Sequence, residues 1–364
     1  MSETSPRHEI AHLARTELFT PDPDGTLWFF TKLLGMYETH REGQSVYLRA
    51  YEDPYQWSIK VTEAPQAGLG HAALRTSSPE ALERRAQSLK DSNIDYRWSD
   101  GDFGYGQTLE FESTDGHHLS LVWEAEKYRA PKELQSKILT RPSKKPLQGL
   151  PVKRIDHLNL MASDVTPLKQ SFERHLGFET RERVVDGDVE IGAWMSTNIL
   201  GHEVACMRDT LGERGRLHHV AMYYGVPQHN IDAAEMFRDY DITIETGPDK
   251  HGITQGSFLY VFEPGGNRIE LFGDAGILQF EPDWEMRTWE MSDIDTGLAI
   301  GGAKLPFETY FTYGTPSRLT LTDHIVQMTG GPGGSTSAEA DAAAEALPEA
   351  IEHSEHMSGA PAGS

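Results

Sequence analysis

Apolar and polar positions alternate with period two in short runs, and each group of runs is introduced by a stretch of helical spacing. Four segments open on a strand pattern: Ile10-Ala11-His12-Leu13, Leu69-Gly70-His71-Ala72-Ala73, Ile155-Asp156-His157-Leu158 and Leu217-His218-His219-Val220-Ala221. A helical stretch follows each of them. The first ends at Leu34-Gly35-Met36 and the third at Leu176-Gly177-Phe178, with glycine where a left-handed C-terminal cap is needed. The second is expected around Pro79 to Leu89 and the fourth around Gln228 to Tyr240. Two hairpins close the second and fourth units: Thr108-Leu109-Glu110-Phe111 with Leu119-Ser120-Leu121-Val122, and Phe258-Leu259-Tyr260-Val261-Phe262 with Arg268-Ile269-Glu270-Leu271-Phe272. Their turns lie at Asp115-Gly116 and Pro264-Gly265-Gly266.

The plan is strand, helix, several strands, four times over. It predicts an α+β protein of four βαβββ modules paired into two half-barrel-like domains. Solenoids are excluded because the period, about 60 residues, exceeds that of the common solenoid repeats. The halves are offset by 145 residues at His12 and His157 but by 142 at the caps Gly35 and Gly177.

Composition sets the boundaries. Proline and basic residues gather between Lys127 and Arg154 and read as a connection between halves. The expected division is an arm at 1–9, a first domain at 10–130, a linker at 131–151, a second domain at 152–280, an extension at 281–329 and a tail at 330–364. The tail has six acidic residues, no Lys or Arg, and abundant Gly, Ala, Ser and Pro, a composition that stays disordered. A short helix over 338–346 is at most marginal there.

Charge narrows the function classes. The chain has 33 Lys plus Arg against 56 Asp plus Glu, a formal charge of −23, which disfavours binding to a phosphate backbone. No apolar run reaches membrane-spanning length and no signal peptide is visible, so a cytoplasmic location and no membrane partner are expected. A single cysteine, Cys206, excludes a disulfide framework and a Cys-rich zinc site, whereas 16 histidines allow a metal site of imidazole and carboxylate.

Strand alternation then selects residues. His157 and Asn159 share one face of their strand, opposite Leu158 and Leu160. Glu270 faces away from Ile269 and Leu271. Tyr260 and Glu270 flank the turn at Gly265 symmetrically and so stand cross-strand. His157, His219 and Glu270 therefore form a two-histidine, one-carboxylate set, the facial triad of non-haem Fe(II) oxygenases. His218 points to the other face and reads as structural. In the first half the equivalent positions are His12, His71 and Ser120, read as a vestigial copy that lacks the carboxylate. A lone histidine on a strand is usually an ordinary core residue; three matched positions in a repeated frame argue for a metal site.

The motifs Arg154-Ile155-Asp156-His157, Gly215-Arg216-Leu217-His218-His219-Val220, Gly247-Pro248-Asp249-Lys250-His251-Gly252 and Tyr260-Val261-Phe262-Glu263-Pro264-Gly265-Gly266-Asn267-Arg268-Ile269-Glu270 carry a resemblance. Over about residues 8 to 290 the sequence resembles the type I extradiol dioxygenases of the vicinal-oxygen-chelate superfamily, most closely catechol 2,3-dioxygenases. The resemblance implies Fe(II), with Mn(II) as an alternative, held by His157, His219 and Glu270. It implies a catalytic His202 beside O₂, and His251 and Tyr260 binding and deprotonating a catechol. Asn159, Trp194 and Thr246 are expected to line the substrate pocket. Thr246 stands just before Gly247-Pro248, where relatives that take carboxylated catechols tend to carry Arg, so an uncharged catechol is expected. The partners implied are a catecholic substrate, O₂ and further copies of the chain. The rival readings are a keto-acid dioxygenase, which should lack the His251–Tyr260 pair, and a non-catalytic binding protein, which should lack the complete triad. The aromatic run Trp284, Trp289, Phe307, Tyr310, Phe311 and Tyr313 would cover the pocket or meet a neighbouring subunit.

Overall fold

The structure is a computed structural model, and it describes residues 8–281 and 283–329. The proposed tail, including 338–346, lies outside the described residues. The first half runs β1 (Ile10–Thr20), α1 (Pro23–Trp28), β2 (Tyr37–Glu42), β3 (Ser45–Arg49), β4 (Ile59–Glu63), β5 (Gly68–Thr76), α2 (Pro79–Asp91), β6 (Tyr96–Ser99), β7 (Thr108–Glu112) and β8 (His118–Val122). The second runs β9 (Arg154–Ala162), α3 (Val165–Ser171), β10 (Glu179–Asp186), β11 (Val189–Ser196), β12 (Val204–Arg208), β13 (Leu217–Tyr223), α4 (Gln228–Asp239), β14 (Thr243–Lys250), β15 (Ser257–Phe262) and β16 (Arg268–Phe272). A C-terminal extension adds β17 (Arg287–Glu290), α5 (Ile294–Leu298), α6 (Phe307–Tyr310) and α7 (Leu321–Thr329).

Each half forms one sheet from two βαβββ modules. The strand orders are β2-β3-β4-β1-β5-β8-β7-β6 and β14-β15-β16-β13-β9-β12-β11-β10-β17. In both, the opening strands of the two modules pair antiparallel at the centre, and the last strand of the second module runs parallel to its own opening strand. This is the four-module α+β architecture expected from the repeat.

The sequence explains the helices locally. Ser78 caps α2 by accepting a hydrogen bond from the Ala81 amide at 3.1 Å, and Pro79 supplies a preset first turn. Both α1 and α3 run on into a π-helical turn, Phe29–Leu33 and Phe172–Leu176. Gly35 (φ 60°) and Gly177 (φ 73°) then take the left-handed conformation that ends each helix.

The helices of the two halves meet between the sheets. Phe29 stacks on Phe237 at 5.7 Å, and Arg85 donates to the His175 carbonyl at 2.9 Å. One apolar core runs through this layer, from Leu18 and Phe30 in the first half to Leu158, Phe172 and Leu271 in the second. The opposite faces of the sheets carry the polar and aromatic residues. The segment between the halves is tied back onto the first, with Ser143 accepting from Arg49 and the Leu150 amide donating to the Leu33 carbonyl. No helix among the described residues is long and apolar enough to cross a membrane.

Candidate metal centre

Paired residues of a sheet share a face, so register places the candidates. Thr246 pairs with Tyr260, Tyr260 with Glu270, and Glu270 with Ala221, in one row across four strands. A second row holds Trp194, Ala205, Asn159 and His219. His157 joins the first row through a bulge in β9, where Ala221 lies between the pairs Val220–Leu158 and Met222–Ile155.

Three ligand-type atoms converge over Ala221. Glu270 Oε2 lies 2.8 Å from His157 Nε2 and 3.1 Å from His219 Nε2, and the two Nε2 atoms are 3.3 Å apart. An octahedral divalent ion with bonds of about 2.0–2.1 Å holds adjacent ligand atoms about 3 Å apart. All three residues are buried, and Oε1 of Glu270 has no hydrogen-bond partner among the described residues. The donor set and this orphaned oxygen fit a divalent metal.

The electrostatics agree. Burial works against a charged Glu270, but the His157 charge and hydrogen bonds from His157 and His219 hold its carboxyl well below the usual range. Burial also opposes a charged His157, yet Glu270 and Asp156 outweigh it and raise that imidazole to about 9. Burial takes His219 down to about 4. His157 is thereby held protonated, and a cation bound at its Nε2 would displace that proton.

The other candidates surround the triad. Nε2 of His251 lies 3.1 Å from the Tyr260 hydroxyl, and its Nδ1–H donates to the Leu298 carbonyl of α5. Phe258 stacks on the His251 ring at 4.0 Å. Burial drives the Tyr260 phenol well above its usual range, and the Glu270 charge adds to this. His202 arrives from the loop before β12, its ring 4.0 Å from that of His157, and burial holds it well below the ordinary imidazole range. Asn159 is buried, and its Oδ1 has no hydrogen-bond partner among the described residues. Trp194 packs with Ile253, Met291 and Trp289 on the wall of the concavity. The Thr246 hydroxyl donates to the Lys304 carbonyl at 2.7 Å. All nine candidates therefore lie on one side of one sheet. From the aromatic run, Tyr310 covers the site: its hydroxyl is 3.4 Å from that of Tyr260.

Two expectations need correction. A bulge between Leu217 and His219 turns His218 toward the site, and its Nδ1 lies 2.6 Å from Nδ1 of His219. The internal copy is also set differently. Ala73 is opposite Arg15 on one side and Ser120 on the other, as Ala221 is opposite the His157 bulge and Glu270. The residue in the place of His157 is therefore Arg15, whereas His12 bonds the Tyr55 hydroxyl at 2.9 Å. The Arg15 guanidinium is buried over the rings of Tyr105 (4.2 Å) and Trp57 (4.9 Å). A fixed organic cation thus occupies the corner where the second sheet gathers metal ligands.

Sequence reasoning missed Asp156, whose carboxylate accepts from Nδ1 of His157 at 2.8 Å and pairs with Arg154. Its position beside a ligand histidine was a usable signal. It also missed Glu203, buried beside His202 and bonded to Asn198 and Thr197.

Residues 154–271 match the Glyoxalase/Bleomycin resistance protein/Dioxygenase superfamily. The chain is 46% identical over 312 residues to a metapyrocatechase of Geobacillus stearothermophilus, covering 85% of this chain and 95% of that protein. It is 34% identical over 302 residues to a manganese-dependent 2,3-dihydroxybiphenyl 1,2-dioxygenase of Geobacillus genomosp. 3, covering 82% and 95%. Among solved structures, homoprotocatechuate 2,3-dioxygenase from Arthrobacter globiformis superposes with a TM-score of 0.73 at 22% identity, covering 86% of this chain and 94% of that one, which shows a shared fold. With a His/His/Glu centre on this fold and 46% identity along nearly the whole of a metapyrocatechase, the chain belongs to the metal-dependent extradiol dioxygenases of the metapyrocatechase family.

Proposed function

We propose that the protein cleaves catechol, or a catechol with an uncharged alkyl or aryl substituent, beside its diol with O₂. The product is of the 2-hydroxymuconic semialdehyde type. Fe(II) is the metal proposed, held by His157, His219 and Glu270, and Mn(II) is the alternative because one relative is named as manganese-dependent. The observation that carries this reading is the His251–Tyr260 hydrogen bond of 3.1 Å set in the same row as Glu270. A keto-acid dioxygenase has no use for that pair, and a binding protein has no use for the complete triad.

When bound, the metal supplies the positive charge that acidifies the diol and the adjacent open positions at which diol and O₂ meet. The rest is done by side chains. Nδ1 of His251 faces a carbonyl and so carries the ring proton, leaving Nε2 bare toward the Tyr260 hydroxyl. A diol proton can pass to the Tyr260 oxygen as the Tyr260 proton passes to Nε2 of His251. His202 stands on the other flank, beside His157. Neutral there, it accepts a proton and returns it to oxygen as the ring opens.

Substrate charge is limited by the cations nearby. Arg268 is bonded to Glu245 at 2.6 and 2.8 Å and to backbone carbonyls, and the Thr246 hydroxyl donates to the backbone carbonyl of Lys304. Neither offers a partner to a substrate carboxylate. Self-association is part of the proposal, supported by the exposed side chains of Leu139, Leu147 and Phe280.

The test is anaerobic reconstitution with Fe(II), addition of catechol or an alkylcatechol, and admission of air. A yellow ring-cleavage product is expected from the wild type and none from Glu270→Ala, which should also lose its metal on gel filtration. Colourless mixtures with every catechol tried, or full activity in Glu270→Ala, would remove the assignment.

A further inference from the structure

Each histidine of the triad turns one ring nitrogen to the centre and one away, and the outward nitrogens are held differently. For His157 the partner is a carboxylate, Asp156. For His219 it is another imidazole, with Nδ1 of His218 at 2.6 Å. The far nitrogen of His218, Nε2, lies 2.7 Å from the carbonyl oxygen of Tyr310.

The protons on this chain follow from the partners. A carbonyl oxygen only accepts, so Nε2 of His218 carries a proton. Only one proton fits between the two facing Nδ1 atoms. A ligand nitrogen must be bare, so the single proton of a neutral, ligating His219 sits on Nδ1 and is donated to His218. The sequence of bonds is therefore Tyr310 carbonyl, His218 Nε2–H, His218 Nδ1, His219 Nδ1–H, with Nε2 of His219 left free.

We propose that His218 is a positioning residue that hands the acceptor polarity of the Tyr310 carbonyl to His219, fixing the tautomer and ring angle that turn Nε2 of His219 to the metal. This rests on the metal-centre reading above. The geometry is well held. The Tyr310 ring lies edge-on to the His218 ring at 4.7 Å. Arg268 donates to the carbonyls of His218, Thr309 and Tyr313 at 2.9–3.1 Å, so one guanidinium clamps the start of β13 and both ends of the Tyr310 segment together. An extension that lies outside the repeat thereby anchors the outer partner of a metal ligand.

Two substitutions in the full-length chain separate the two ring nitrogens. His218→Asn keeps an acceptor near the Nδ1 position and loses the Tyr310 bond; His218→Gln keeps a donor near the Nε2 position and loses the bond to His219. Mn(II) alone is titrated into each metal-free protein, and free Mn(II) is counted by electron paramagnetic resonance, with the fold checked by circular dichroism. The expected result is a His218→Asn affinity within about 3-fold of wild type and a loss of about 10–100-fold in His218→Gln, the usual cost of removing an outer partner. Should the Gln variant not fold, His218→Phe keeps the ring volume and is expected to lose the same factor. Wild-type affinity in His218→Gln or His218→Phe, or equal losses in Asn and Gln variants, overturns the relay. A wild type that takes up no Mn(II) or Fe(II) instead overturns the metal centre, and the relay with it.

Discussion

The Asp156 carboxylate accepts a hydrogen bond from Nδ1 of its sequence neighbour His157 at 2.8 Å, because the β9 bulge puts both side chains on one side of the strand. A carboxylate behind a ligand histidine fixes the tautomer and raises the basicity of the inner nitrogen. Asp156→Ala is expected to weaken Fe(II) or Mn(II) binding by about 10–100-fold. Equilibrium dialysis against each metal measures this. Unchanged affinity would mean that His157 is held by packing alone.

Tyr260 is fully enclosed, and its hydroxyl bonds His251 and Tyr310. Tyr260→Phe removes one oxygen and leaves the ring contacts, so metal content should stay at the wild-type level. The rate should fall by about 10²-fold or more, the usual contribution of a positioned proton carrier. Steady-state kinetics with catechol, paired with metal analysis, distinguishes this outcome from simple loss of the site.

Glu203 provides a pH signature in stability. Burial raises its carboxyl to about 7, opposed by hydrogen bonds such as that from Thr197. For an acid whose folded pKa lies above its unfolded value near 4.5, the folded state binds the extra proton. Its contribution is therefore most favourable below pH 4.5 and is lost as pH rises toward 7. Glu203→Gln, which keeps an acceptor for Asn198, should match wild type near pH 5 and exceed it in thermal stability near pH 8. Melting curves at the two pH values test this, and a constant difference between them would contradict it.

The first sheet allows a constructive test. His71 is bonded through Nδ1 to Glu17 at 2.9 Å, while its Nε2 is unpartnered among the described residues, as is the Ser120 hydroxyl. Arg15→His combined with Ser120→Glu restores a two-histidine, one-carboxylate set around Ala73. Bound Mn(II) should rise from one toward two per chain at saturating metal. Ser120→Glu alone should leave the stoichiometry at one, because the Arg15 guanidinium would pair with the new carboxylate. A second equivalent in the single variant would restore His12 as the counterpart of His157.

Much of the centre was legible because it rests on regular alternation. Tyr260 and Glu270 flank Gly265 at equal distance, so their pairing needs only a regular hairpin, and β15 and β16 form one without a slip. His218 was misread because one inserted residue in β13 reverses alternation locally, and no hydropathy pattern marks a bulge. His12 was misread as the counterpart of His157, the place Arg15 takes, for the same reason, although the sequence held a clue. The two helix caps are 142 residues apart, and so are Arg15 and His157, while the His12 to His157 spacing is 145. Asp156, Glu203 and Tyr310 depend on bulges, on the contact between halves and on the fold of the extension, none of which periodicity encodes.

The two carbonyl groups that orient His251 and His218 belong to Leu298 and Tyr310, both in the extension. During synthesis Glu270, the last of the inner ligands, therefore precedes the last of these groups by 40 residues. At roughly 5–20 residues per second, a nascent chain passes about 2–8 s with all three inner ligands made and this outer support still missing. Metal uptake in its mature geometry is accordingly one of the last events in the life of the growing chain, and a truncation before Tyr310 would leave an otherwise complete second sheet with a loosened centre.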